Sequence, residues 1–218
     1  MPPTRWAGTS RIVKPIWIVG LGALVAIGLA SSLFVLKSRA ARAGTFEDYG
    51  VLPAFTLTNQ RAEPFGTAQL EGKVWIANFI FTRCPTVCPL LTQKMAQVQE
   101  RTASAGERVQ LVSFSVDPDY DQPPVLQAYA QKHHADPARW TFLTGKPEAL
   151  KKVIVDGLKQ MMGREGPADD LNGIFHGTHF VLVDQHQHIR GYYRSEDPDV
   201  LERLSADALS LSQAVSSE

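Results

Sequence analysis

The nine residues from Lys73 to Phe81, KVWIANFIF, are almost entirely apolar. The run is too short to cross a bilayer. It also lacks the alternation of a strand with one wet face. It fits a central strand buried on both sides, in a sheet covered by helices. RVQLVSFSV, at 108–116, has the same character, and WTFLTG, at 140–145, is a shorter version. Between and after these runs lie helical stretches. Leu91, Met95 and Val98 share one helical face in a segment that ends before Gly106. Pro123 or Pro124 sits near the start of a second helix, as proline does at a first helical position. KPEALKKVIVDGL and DPDVLERLSADALSLSQ give two more helices. PAFTLTN reads as a strand, and RAEPFGTAQLEGK as a turn-rich hairpin region. MMGREGPADDLNGIF reads as an irregular loop, and THFVLVD with IRGYYRS as an antiparallel pair. Strands alternating with helices, closed by a hairpin and a helix, predict an α/β domain with a mixed sheet flanked by helices.

The formal net charge of zero averages two unlike parts. Residues 1–43 hold six basic and no acidic residues, which leaves 16 basic against 22 acidic residues after them. An acidic domain argues against nucleic-acid binding, which needs a basic face to displace phosphate counterions. Ile16 to Leu36 is uncharged over 21 residues. As a helix it spans about 31 Å, close to the hydrocarbon thickness of a bilayer. The chain is therefore expected to comprise a short tail (1–15), a transmembrane anchor (16–36), a tether (37–48) and a folded domain (49–213). ARAG, at 41–44, resembles a cleavage site, but the apolar run is longer than a signal peptide's. Three basic residues flank each side of the span, so charge does not orient it. An export-type segment points to the outer, periplasmic or equivalent, side of the membrane, where disulfides form.

Both cysteines, Cys84 and Cys88, lie in FTRCPTVCPLLTQKM, directly after the buried run. A cysteine pair between the end of a central strand and the start of a helix is the thioredoxin-like arrangement. The helix N-terminus there is expected to favour thiolate. A disulfide closing three residues removes little chain entropy, and a domain of this size does not need a staple. Redox chemistry and metal binding both remain open. Positions i and i+4 on a helix share a face, so the two sulfurs can converge on each other or on one soft cation. Two thiolates are half a structural zinc set, whereas two thiolates and an imidazole suit copper.

Six histidines are candidates for that imidazole. His133 and His134 end a helix, and His186 and His188 straddle a turn; both pairs read as surface residues. His179 falls inside a strand and His176 just before it. In a thioredoxin-like topology the loop entering this strand faces the cysteines. Dithiol oxidoreductases place a proline there, but none occurs between Pro167 and Pro198. Asp117 and Asp121, in SVDPDYD, read first as turn or capping residues. Met95 reads as core, and Met161 and Met162 lack the repeats of a methionine-rich copper motif.

GKVWIANFIFTRCPTVCPLLTQKM, VSFSVDPDYDQPPVLQAYA, WTFLTG and HGTHFVLVD together resemble the Sco/SenC copper chaperones of cytochrome oxidase assembly. The resemblance covers most of residues 52–210. It implies a membrane-tethered, thioredoxin-like protein whose Cys84, Cys88 and His176 hold a copper ion. The copper would go to the dinuclear copper centre of cytochrome c oxidase, with the oxidase's copper-containing subunit or another copper chaperone as partner. It also implies that Cys84 and Cys88 form a redox-active disulfide, and that His176, on its own loop, lets go first. Asp117 and Asp121 would then tune the site or touch a partner. The chain departs from the family at Thr86, at Tyr120–Asp121–Gln122 and at Phe175, and it adds His179. The alternatives are a thiol–disulfide oxidoreductase acting on the oxidase or another exported protein, and a peroxide-reducing or redox-sensing thiol protein.

Overall fold

The structure, a computed structural model, describes residues 46–85, 87–166 and 170–214. The expected anchor at 16–36 and most of the tether lie outside the described residues. Among those described, no helix is long and apolar enough to cross a membrane.

Seven strands form one sheet: β1 (Thr56–Asn59), β2 (Pro64–Gly66), β3 (Val74–Ile80), β4 (Val109–Ser115), β5 (Trp140–Thr144), β8 (His179–Val183) and β9 (Ile189–Arg194). Their order is β2-β1-β5-β4-β3-β8-β9. β3, β4 and β5 are parallel, and β1 and β8 flank them antiparallel. Every residue of β3, β4 and β5 is buried, as their continuous apolar runs require. Phe79 stacks on Phe114 at 6.0 Å and Trp140 on Phe142 at 5.2 Å, so aromatic rings fill the layers beside the central strands.

Parallel neighbours need helical crossovers. α2 (Val87–Arg101) joins β3 to β4, and α3 (Pro123–Lys132) joins β4 to β5. The short α1 (Thr67–Leu70) precedes β3. α4 (Pro147–Lys151) continues as a π-helix over Lys152–Gly157, and α5 (Val200–Ala214) closes the chain. α2 and α5 pack on each other and on β3, and α3 packs on β5. This is the expected mixed sheet flanked by helices.

The segment expected to be an irregular loop contains a second, two-stranded sheet. β6 (Met162–Arg164) pairs antiparallel with β7 (Ile174–His176), and Met162 stands opposite His176. His176 therefore ends a strand of its own instead of preceding β8 in a loop. Among the described residues this hairpin has no ladder to the seven-stranded sheet.

Candidate metal centre

β3 ends beside the cysteine loop. The Cys84 N–H donates to Phe81 O at 3.2 Å, which turns the chain out of the strand. Cys88 lies in the first turn of α2 and is fully buried, whereas Cys84 is partly exposed. Neither is in a disulfide, and the Cys84 side chain hydrogen-bonds with Cys88.

The hairpin brings His176 to the same place. Its Nε2 lies 3.6 Å from Cys88 Sγ, and its ring meets Phe81 edge-on at 6.0 Å. Nδ1 is 2.9 Å from Gly177 O. A carbonyl only accepts, so Nδ1 carries the proton and Nε2 presents its lone pair to the sulfur. Burial holds the His176 pKa below its ordinary value, so the ring is neutral at neutral pH. A Cβ at Gly177 would come 2.3 Å from Gln160 Oε1, so any larger residue there would push the Gln160 side chain aside.

Cys88 departs from the expected thiolate. Burial pushes its thiol far above the ordinary value, outweighing the Phe81 N–H that donates to Sγ at 3.5 Å. The helix N-terminus does not overcome desolvation here. In the metal-free protein the Cys88 thiol donates to His176 Nε2.

These donors fit a soft metal ion. Bonds of about 2.3 Å to sulfur and about 2.0 Å to imidazole nitrogen, meeting at about 110–120°, place the two atoms about 3.5–3.7 Å apart. Cys88 and His176 already stand at that separation. Among the described residues, no three His, Cys, Asp or Glu side chains are yet gathered around one point. Cys84 is the more exposed of the two cysteines, while the His176 ring is held by Gly177 O.

Two carboxylates support the cysteine loop. Asp121, fully buried, accepts from Thr82 Oγ1 at 2.5 Å, Thr82 N at 3.1 Å and Ser115 Oγ at 2.6 Å. Asp117, also buried, takes Arg83 Nε at 2.8 Å on Oδ2 and Arg164 Nη2 at 2.6 Å on Oδ1. The sequence assigns no role to Arg164, and residues 47 positions apart carry no sign of their pairing.

The other candidates lie elsewhere. His179 borders a shallow groove with Tyr49, Lys159, Gln160 and Tyr192. His133 packs on Tyr129 at 4.4 Å, and His134 and His186 are exposed. His188 pairs with Asp48 at 2.9 Å. Met95 is core, Met161 is exposed and Met162 is partly buried. Thr86 lies outside the described residues.

Residues 44–207 match the family model SCO1/SenC. The chain belongs to this family. The crystal structure of a SCO1/SenC family lipoprotein from Bacillus anthracis is 38% identical, with a TM-score of 0.68 over 76% of this chain and 97% of that one. BsSco, a member of the Sco family of cytochrome c oxidase assembly proteins in which a disulfide switch is identified, is 27% identical. Its TM-score is 0.67, over 78% of this chain and 98% of BsSco. A protein of Stutzerimonas stutzeri described as copper-binding is 30% identical over 146 residues, 66% of this chain and 69% of that protein. The fold is therefore the thioredoxin-like Sco fold of the SCO1/SenC family.

Proposed function

We propose that this chain binds one copper ion through Cys84, Cys88 and His176, and delivers it to the dinuclear copper centre of cytochrome c oxidase. It would do so while tethered to the outer side of the membrane by Ile16–Leu36. The observation that carries this reading is the approach of His176 Nε2 to Cys88 Sγ at 3.6 Å, with Nδ1 satisfied by Gly177 O. The imidazole is thus neutral and correctly turned before any ion arrives. The buried Cys88 thiol gives up its proton only when the ion replaces it, which couples uptake to proton release. Cys84, half-exposed, makes and breaks its bond last and first, so transfer by sulfur-for-sulfur exchange begins there. Oxidation of the pair to a disulfide removes both thiolates, and reduction restores them. The site fits the copper-binding description of the Stutzerimonas relative and the disulfide switch of BsSco.

Anaerobic copper titration of the reduced chain, read by mass and absorption, tests the reading. One equivalent is expected for the natural chain. Cys84→Ser and Cys88→Ser are expected to lose tight binding, and His176→Ala to keep weaker binding with altered absorption bands. Unchanged stoichiometry and affinity in both cysteine variants would remove the proposal.

A thiol–disulfide oxidoreductase is the second reading. It is favoured by the pairing of a half-exposed Cys84 with a buried Cys88, the usual division between attacking and resolving thiols. It needs the cysteines but not His176. Disulfide exchange at the natural rate by metal-free His176→Ala would favour it.

A further inference from the structure

We propose that Asp117, Arg83 and Arg164 form a clamp that fixes the cysteine loop against the hairpin carrying His176. The clamp would thereby set the distance between the Cys88 sulfur and the imidazole.

Among the described residues β6 and β7 pair in a ladder with each other and not with the seven-stranded sheet, so side chains help to position the hairpin. Arg164 stands on β6 directly opposite Ile174, two residues from His176. Arg83 immediately precedes Cys84. The two guanidinium groups converge on one carboxylate, each on its own oxygen, at 2.8 Å for Arg83 and 2.6 Å for Arg164. That carboxylate is itself fixed. Asp117 follows β4, its N–H donates to Ser115 Oγ at 3.1 Å, and its carbonyl accepts from Tyr120 N and Asp121 N. Arg83 is held a second time, with its guanidinium 4.5 Å from the centre of the Tyr120 ring.

A bland account makes these surface ion pairs of little consequence, since exposed pairs contribute little. Burial argues against it. The Asp117 side chain is 1% exposed, and a carboxylate taken that far from water requires its partners. The pairs also join the two segments that supply the cysteines and the histidine, and do so from the rigid end of a central strand. Each arginine is a positioning residue that acts through the ligand-bearing segment it holds.

The test uses the full chain, reduced and purified in a mild detergent, with Arg164→Gln, Arg164→Lys and Arg83→Gln. It rests on the copper-binding reading in one arm only. In the metal-free arm, alkylation of Cys88 by N-ethylmaleimide is followed by mass. Releasing the hairpin uncovers the sulfur, so Arg164→Gln is expected to react several-fold faster, by more than its lowered thermal midpoint accounts for through global unfolding. Arg164→Lys, which keeps a cation within reach of Asp117, should return most of the way to the natural rate. In the copper arm, Arg164→Gln is expected to lose about 10-fold in affinity, as supporting residues of metal sites do. Its absorption bands should move toward those of His176→Ala. If Arg164→Gln fails to fold, Arg83→Gln decides by the same two readouts. Natural alkylation rates in the glutamine variants, or rates that rise only in proportion to global unfolding, overturn the clamp. A chain that binds no copper but shows the predicted alkylation pattern sinks the copper reading and leaves the clamp standing.

Discussion

Replacing Asp121 by Asn separates the charge of a fully buried carboxylate from its shape. Oδ1 accepts from Thr82 Oγ1, Oδ2 accepts from Ser115 Oγ, and the Thr82 N–H points at both. Whichever way an amide is turned, its NH2 faces a donor. Ser115 Oγ accepts the Asp117 N–H and could accept the amide only by turning its own O–H away from this acceptor. Losing one acceptor at a buried site costs about 1–3 kcal/mol, so a loss of about 2 kcal/mol is expected. For a domain of this size that is about 4–8 °C in Tm. The cost depends on pH. Burial raises the Asp121 pKa above its ordinary 3.8, and outweighs the hydroxyl and amide donors that favour the anion. The folded state then holds the proton to higher pH than the unfolded chain. Natural stability therefore falls as pH rises from near 3.8 through the raised value. Asparagine does not titrate. The penalty of Asp121→Asn is thus largest at the acid end of that window and shrinks toward neutral pH. Urea melts of both proteins, reduced, across a pH series measure the difference, in which the other carboxylates cancel. A penalty that grows with pH would show that the donors stabilise the anion more than burial opposes it. No penalty at any pH would refute the acceptor accounting.

Arg139 is buried and donates to Gln99 O, Thr102 O, Thr102 Oγ1 and Val109 O, tying off the C-terminal end of α2. Arg139→Ala is expected to cost about 2–3 kcal/mol in chemical denaturation, the range for hydrogen bonds from a charged group. Met95 is fully buried in the core. Met95→Ala should cost about 2–5 kcal/mol by cavity formation, with copper stoichiometry unchanged in the variant that remains folded. Loss of copper with natural stability would instead make its thioether a ligand. At Gly66 a Cβ would come 2.0 Å from the Phe55 carbonyl oxygen, which is backbone and cannot step aside. Gly66→Ala is therefore expected to displace β2 and lower stability by about 1–3 kcal/mol, read by thermal melting and by faster amide exchange along β1.

The buried strands were legible because a continuous apolar run has few homes in a folded chain. Val74–Ile80 and Val109–Ser115 lie where KVWIANFIF and RVQLVSFSV place them, paired in parallel. The β6–β7 hairpin was not legible. Met162–Arg164 is three residues with a glycine in the middle and no alternation. Its pairing depends on the Phe175 ring lying over Gly163, where a Cβ would come 2.4 Å from Cζ. KPEALKKVIVDGL predicts ordinary helix where Lys152–Gly157 is π-helical, because hydrophobic spacing does not distinguish the two over six residues. At the site, spacing and family resemblance singled out Cys84, Cys88 and His176, and the fold brings His176 to Cys88. What spacing cannot carry is environment. The helix N-terminus suggested an acidic thiol, and burial reverses that for Cys88. Nor does spacing show that the His176 ring is held by Gly177 O while Cys84 is the more exposed of the two cysteines. The Arg83–Asp117–Arg164 contact joins three distant segments that only the folded chain brings together.

Copper-edge X-ray absorption on the reduced chain carrying one equivalent of copper addresses the ligand set directly. Scattering from two sulfurs and one imidazole is expected, with the imidazole missing in His176→Ala. A spectrum without imidazole scattering in the natural chain, or one left unchanged by His176→Ala, would contradict this ligand set.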